Sequence, residues 1–97
     1  MPAYLIANID VHDLNLFQQY RERVPPIIAK FGGRYLVRGG EAQAVEGDLA
    51  VKRLVIIEFP DMTKLRAFYD GADYQAILPL RTNSARSDIV LVPGYEG

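Results

Sequence analysis

Ninety-seven residues with a formal charge of −1 suffice for one hydrophobic core, and that near balance excludes bulk attraction to nucleic acid or anionic membranes. The absence of cysteine excludes disulfides, thiolate metal sites and cysteine nucleophiles, and it fits a reducing cytoplasm. No apolar run approaches a membrane span and Met1-Pro2-Ala3-Tyr4 lacks the basic start of a signal peptide, so a soluble cytoplasmic chain forming one domain over residues 1–97 is expected.

From Ala3 to Val11, Leu5, Ala7 and Ile9 alternate with Tyr4, Ile6, Asn8 and Asp10. Both sets carry apolar residues, which predicts a central strand with cover on each side. Asp13 is placed to cap a helix whose apolar positions are Leu14, Phe17, Tyr20, Val24, Ile28 and Phe31. Pro25 and Pro26 lack the backbone donor and crowd the preceding turn, predicting a kink or a break with a restart. Gly32 should end the helix through a left-handed cap.

Tyr35 to Arg38 then read as a second strand, with Gly39-Gly40 opening a long hairpin that turns at Glu46-Gly47-Asp48. Lys52 to Phe59 forms the third strand, and its run Leu54-Val55-Ile56-Ile57 calls for burial on both faces. Pro60 stops it. Asp61 caps a second helix with Leu65, Phe68 and Tyr69 turned inward, and Gly71 closes that helix. Asp73 to Ala85 reads as a third helical piece, bent near Pro79, with Tyr74, Ile77, Leu78 and Leu80 as packing residues. Asp88 to Val92 makes the last strand, stopped by Pro93-Gly94.

The order strand, helix, strand, strand, helix, strand is the ferredoxin-like α+β arrangement: a four-stranded antiparallel sheet with its helices on one face. The other face is left bare and is too apolar to stay wet. A second copy of the chain is the expected cover, giving a homodimer through the open sheet face.

Tyr20-Arg21, the block from Phe31 through Gly32-Gly33-Arg34-Tyr35-Leu36-Val37-Arg38 to Gly39-Gly40, Glu46-Gly47, Arg53, Glu58-Phe59-Pro60, Phe68-Tyr69, Tyr74, Arg81 and Asp88 together resemble the family known as domain of unknown function 1330. The resemblance covers essentially the whole chain. It implies membership of the dimeric α+β barrel superfamily, in which two ferredoxin-like sheets pack face to face. Relatives there include cofactor-independent quinone-forming monooxygenases, muconolactone isomerase-like enzymes, stress-response proteins and small-ligand binders. The family itself implies no agreed activity.

Glu58 ends the most apolar strand, where a carboxylate against a sheet could have a raised pKa and act as a general acid or base. Pairing with an arginine at the strand end is the structural alternative. Eight of the eleven basic residues are arginines, and Arg34, Arg38, Arg53 and Arg81 lie within or beside core elements. A guanidinium holds a carboxylate or enolate through two parallel hydrogen bonds, though pairing with Glu46, Glu58 or Asp88 would serve structure alone. A turn near residue 45 puts Arg38 opposite Lys52 and sends Arg53 to the other face of the sheet.

Tyr20, Tyr69 and Tyr74 face the sheet as core or pocket wall, and each hydroxyl needs a partner. A cavity lined by Asn8, Tyr69, Tyr74 and Arg81 would suit a small aromatic or hydroxy-acid ligand. His12, the sole histidine, sits in a loop with no companions at metal-ligand spacing, and no phosphate-binding glycine motif is present. The functional expectation is therefore binding or cofactor-independent acid/base conversion of a small organic acid or aromatic metabolite in a sheet–helix cleft, without metal or organic cofactor. Arg38 or Arg81 would hold the anion, with Asn8 beside it. Tyr69 and Tyr74 would wall the ring, and Glu58 would move a proton. A non-catalytic ligand-binding or structural dimer module is the rival reading.

Overall fold

The computed structural model describes residues 1–96. Strand β1 (Ala3–Val11) leads into helix α1 (Leu14–Lys30), and strands β2 (Arg34–Gly40) and β3 (Leu54–Phe59) follow. Helices α2 (Met62–Asp70) and α3 (Ala72–Thr82) precede strand β4 (Ala85–Pro93). All pairings are antiparallel and the spatial order is β2-β3-β1-β4, the ferredoxin-like topology expected from the element order. β1 is central, as its two apolar faces require.

The helices cover one face only. Leu5, Ala7 and Ile9 of β1 are buried there with Phe17, Val24 and Ile28 of α1, Leu65 and Phe68 of α2, and Tyr74 and Ile77 of α3. Leu14, expected in the α1 stripe, is the first residue of the helix and is 62% exposed. On the opposite face Val37, Ile56, Ile6 and Val90 form one row across all four strands, flanked by the row Arg34, Glu58, Tyr4 and Val92. Among the described residues no helix covers this face, and they form a slab of 35 × 32 × 16 Å.

Local signals explain most boundaries. The Asp13 carboxylate accepts from Leu16 N at 3.1 Å and the Asp61 carboxylate from Lys64 N at 2.7 Å, so both predicted caps form. Gly32 has φ +80, with Gly32 N donating to Ala29 O and Gly33 N to Ile28 O, the paired bonds that close a helix through a left-handed residue. Three expectations need correction. α1 runs unbroken through Pro25 and Pro26. The third helix ends at Thr82, and β4 begins at Ala85 because it pairs with β1 as far as Val11. β2 and β3 do not pair beyond Gly40 and Leu54, so the expected hairpin opens into a wide loop over residues 41–53.

A candidate ligand-binding cleft

β2 carries two register irregularities, one between Tyr35 and Val37 and one between Arg38 and Gly40. Each extra residue shifts the pairing by one and reverses the faces beyond it. Arg38 consequently lies opposite Val55, not Lys52, and points to the helical side of the sheet. Arg53, whose carbonyl accepts from Ile9 N, shares that side. The two arginines expected on opposite faces stand together.

They open onto a cleft between the sheet, α1 and α3. Its void, mouth included, is about 580 Å³, and the space that water centres can occupy is about 50 Å³. That is room for a few waters or one small flat molecule. Leu5, Ala7, Val55 and Ile57 form its floor and Phe17, Val24 and Phe68 its walls. Its polar groups are Tyr20, Tyr35 and Tyr74 with four arginines, Arg21, Arg38, Arg53 and Arg81. Among the described residues the lining contains no carboxylate and no histidine.

Each arginine is held without a counter-charge. Arg81 is only 6% exposed, the one charged residue in the interior among the described residues, and its Nε donates to Tyr74 Oη at 3.3 Å. Tyr74 Oη in turn lies 2.9 Å from Tyr20 Oη. Burial by itself would lower the Arg81 pKa, but Tyr74, by proximity and by its hydrogen bond, then Tyr20 and Tyr69, outweigh it and the net direction is upward. Arg81 is therefore a buried, permanent cation.

Arg53 lies over the Phe17 ring with its guanidinium carbon 5.1 Å from the centroid, and Arg38 over Tyr35 at 4.7 Å. Arg38 Nη2 also donates to Arg21 O at 3.2 Å. That carbonyl is free because its helical partner would be the backbone nitrogen of Pro25, which carries no hydrogen. The proline that should have broken α1 instead leaves an acceptor that fixes Arg38 at the cleft mouth. Among the described residues, the salt bridges are Lys30–Asp73, Arg34–Glu58 and Arg66–Asp70, so none of the four cleft arginines is paired with a carboxylate.

Burial first, then the Tyr74 hydroxyl, pushes Tyr20 well above the ordinary value, and burial raises Tyr35 despite the opposing charge of Arg38, so these two phenols are neutral at neutral pH.

Of the residues singled out in the sequence, Tyr20, Arg38, Arg53, Tyr74 and Arg81 meet in this cleft. Tyr69 stands behind Tyr74, their ring centroids 5.2 Å apart, and is not part of the lining. Glu58 and Asn8 do not join them. Glu58 lies in the row with Tyr4 and Arg34 on the uncovered face and accepts from Arg34 Nε at 3.0 Å. Asn8 lies on that same face, donating to Ala50 O and accepting from Lys52 N, which ties down the end of the 41–53 loop. Strand parity separates both from the cleft: Tyr4, Asn8 and Glu58 alternate with Leu5, Ala7 and Ile57. Arg21, Tyr35 and the site role of Arg53 escaped the sequence reading. The Arg21 signal was its position four residues before Pro25.

The family described as "Domain of unknown function (DUF1330)" matches residues 2–95. None of the curated proteins matches the chain significantly. Among solved structures, a protein of unknown function from Rhodopseudomonas palustris superposes with a TM-score of 0.79 at 14% identity, over 99% of this chain and 84% of that one. SnoaB, a cofactor-independent oxygenase from Streptomyces nogalater, gives 0.67 at 12% identity over 99% of this chain and 95% of that one. A dimeric ferredoxin-like protein of unknown function from Jannaschia sp. CCS1 gives 0.69 at 11% identity, covering 95% and 98% respectively. These likenesses are likenesses of fold.

Proposed function

Because the chain belongs to the DUF1330 family, whose description assigns no activity, we propose its function from the cleft itself: it binds a small organic anion with a flat apolar body. One observation carries this reading, the four arginines that line an otherwise apolar cleft with no carboxylate among them. Uncompensated guanidinium groups repel one another, and an anion entering the cleft relieves that repulsion while its ring replaces water against the aromatic walls. Arg81 holds the inner end, Arg38 and Arg53 the mouth, and Tyr74 walls the ring.

The lining holds no carboxylate or histidine, so it offers no general base at neutral pH. This supports binding over turnover, and Glu58, on the other face of the sheet beside Arg34, is given no role in this reading. Any acid function would fall to the phenols. Neither metal nor organic cofactor is needed for such binding, and a fold neighbour described as a cofactor-independent oxygenase is compatible with a cleft of this kind.

The working unit is a homodimer closed over the bare sheet face, with Ile6, Ile56, Val37 and Val90 at its centre and the Arg34–Glu58 pair beside them. A second copy there leaves no sheet surface for nucleic acid. No helix is long and apolar enough to cross a membrane, and the cysteine-free composition suits the cytoplasm.

A thermal-shift panel tests the cleft, since a ligand that binds only the folded state raises the melting temperature. Aromatic and hydroxy acids should raise it and their amides or esters should not. A flat response across acids, quinones and aldehydes would contradict the reading.

A further inference from the structure

The inner end of the cleft has a definite hydrogen-bond polarity. Arg81 can only donate, so Tyr74 Oη accepts from its Nε. The Tyr74–Tyr20 contact consumes one of the two hydroxyl protons, and the acceptor capacity is shared most evenly when Tyr74 donates to Tyr20. One phenol proton is then left over, together with the Nη groups of Arg81, with no carboxylate in the lining to receive them. A ligand meets charged and neutral donors there, and the acceptors it meets are neutral phenol oxygens alone.

Nε of Arg81 is already engaged by Tyr74 Oη, so its Nη groups are what remain for a ligand. An anionic oxygen accepts from them and from a phenol O–H through charge-assisted bonds. A neutral phenol or enol is a weaker acceptor for the same donors and gains nothing from the surrounding guanidinium charge. Its conjugate base fits better.

We propose that this inner end is an oxyanion pocket for phenols and enols, binding such ligands deprotonated and thereby lowering their pKa. The proposal rests on the anion-binding reading of the cleft and names the ligand class for its inner half. Every charged group that faces the pocket favours the anion: Arg81 from α3, Arg21 from α1, Arg38 from β2 and Arg53 just ahead of β3. The titratable groups beside them are the phenols of Tyr20, Tyr35 and Tyr74.

The test uses 4-nitrophenol, whose phenolate absorbs visible light, titrated with pH in the presence of saturating protein. The bound probe should ionise at least about one pH unit below the free probe, the effect of a nearby cation, and 4-nitroanisole, which has no acidic proton, should bind at least about tenfold more weakly. Arg81→Met should abolish the shift. Tyr74→Phe leaves the ring in place and removes one hydroxyl from the donor chain, so it should reduce the shift without abolishing it; this variant serves even if Arg81→Met fails to fold. A bound probe that ionises at or above its free value overturns the proposal. If 4-hydroxybenzoate still binds in that case, the broader anion-binding reading survives; if neither probe binds, both are lost.

Discussion

Gly32 and Gly33 stand side by side and meet different needs. Gly32 supplies the left-handed backbone that ends α1, whereas Gly33 supplies space: a Cβ there would sit 2.7 Å from both Ile28 Cγ2 and Phe59 Cε1. Gly33→Ala should therefore destabilise the fold by about 1–3 kcal/mol, the usual range for overpacking a core, measured by denaturant unfolding. The glycine pair was legible as a helix stop. The contact with Phe59 was not, because it depends on how β3 passes under α1.

Glu58 illustrates the limit of reading a single residue. Its place at the end of an apolar strand was correct, but face is set by register, and register turned it away from the cleft toward Arg34. Arg34 is 71% exposed in this pair in the isolated chain, so solvent screens the pair in a monomer. Glu58→Gln should cost the monomer less than about 1 kcal/mol and leave ligand affinity unchanged. A loss of ligand binding on calorimetric titration would return Glu58 to the site. Tyr20 carries a separate expectation. Its pKa is raised above the ordinary 10.0 by burial and by Tyr74, so its proton leaves the unfolded chain first. That stabilisation is complete below the unfolded value and is lost as pH rises through the folded one. Unfolding free energy should fall between about pH 9 and 11, and fall less in Tyr20→Phe.

At the scale of elements, the irregular β2 strand and the proline-bearing α1 helix build the cleft mouth together. Alternation along β2 could be read from the sequence, but its extra residues could not, and a single bulge reverses every side chain beyond it. The prolines of α1 announced a missing donor correctly. Their consequence was misread, since the freed Arg21 carbonyl finds Arg38, a partner 17 residues away in sequence. Pro25→Ala restores the helical donor, and proline is about 3 kcal/mol worse than alanine in a helix interior. The variant should be at least as stable as the parent, while anion affinity falls several-fold as Arg38 loses its anchor. Unchanged affinity on titration would show that Arg38 is positioned by stacking on Tyr35 alone.

For the whole molecule, the decisive feature is that one sheet has one layer of helices. The element order and the apolar alternation of β1 made this architecture legible before any coordinates, and with it the bare face. Val90 is 58% exposed in the isolated chain on the edge strand of that face, beside Ile6, so a charge there is harmless to a monomer and ruinous to a face-to-face dimer. Sedimentation should find the parent dimeric and Val90→Glu monomeric with an unchanged far-ultraviolet spectrum. A monomeric parent would contradict the proposed assembly. The cleft was less legible, because its charge arises from four arginines spread over residues 21–81 on separate elements, and the bulged register is what turns Arg38 toward the others.

The cleft's preference for negative charge is tested most directly by calorimetric titration with 4-hydroxybenzoate and its methyl ester, ligands of nearly equal shape that differ by one charge. The acid should bind at least about tenfold more tightly, with an advantage that shrinks as salt is raised. Equal affinity for the two, or tighter binding of the ester, would contradict an anion-binding role for the four arginines.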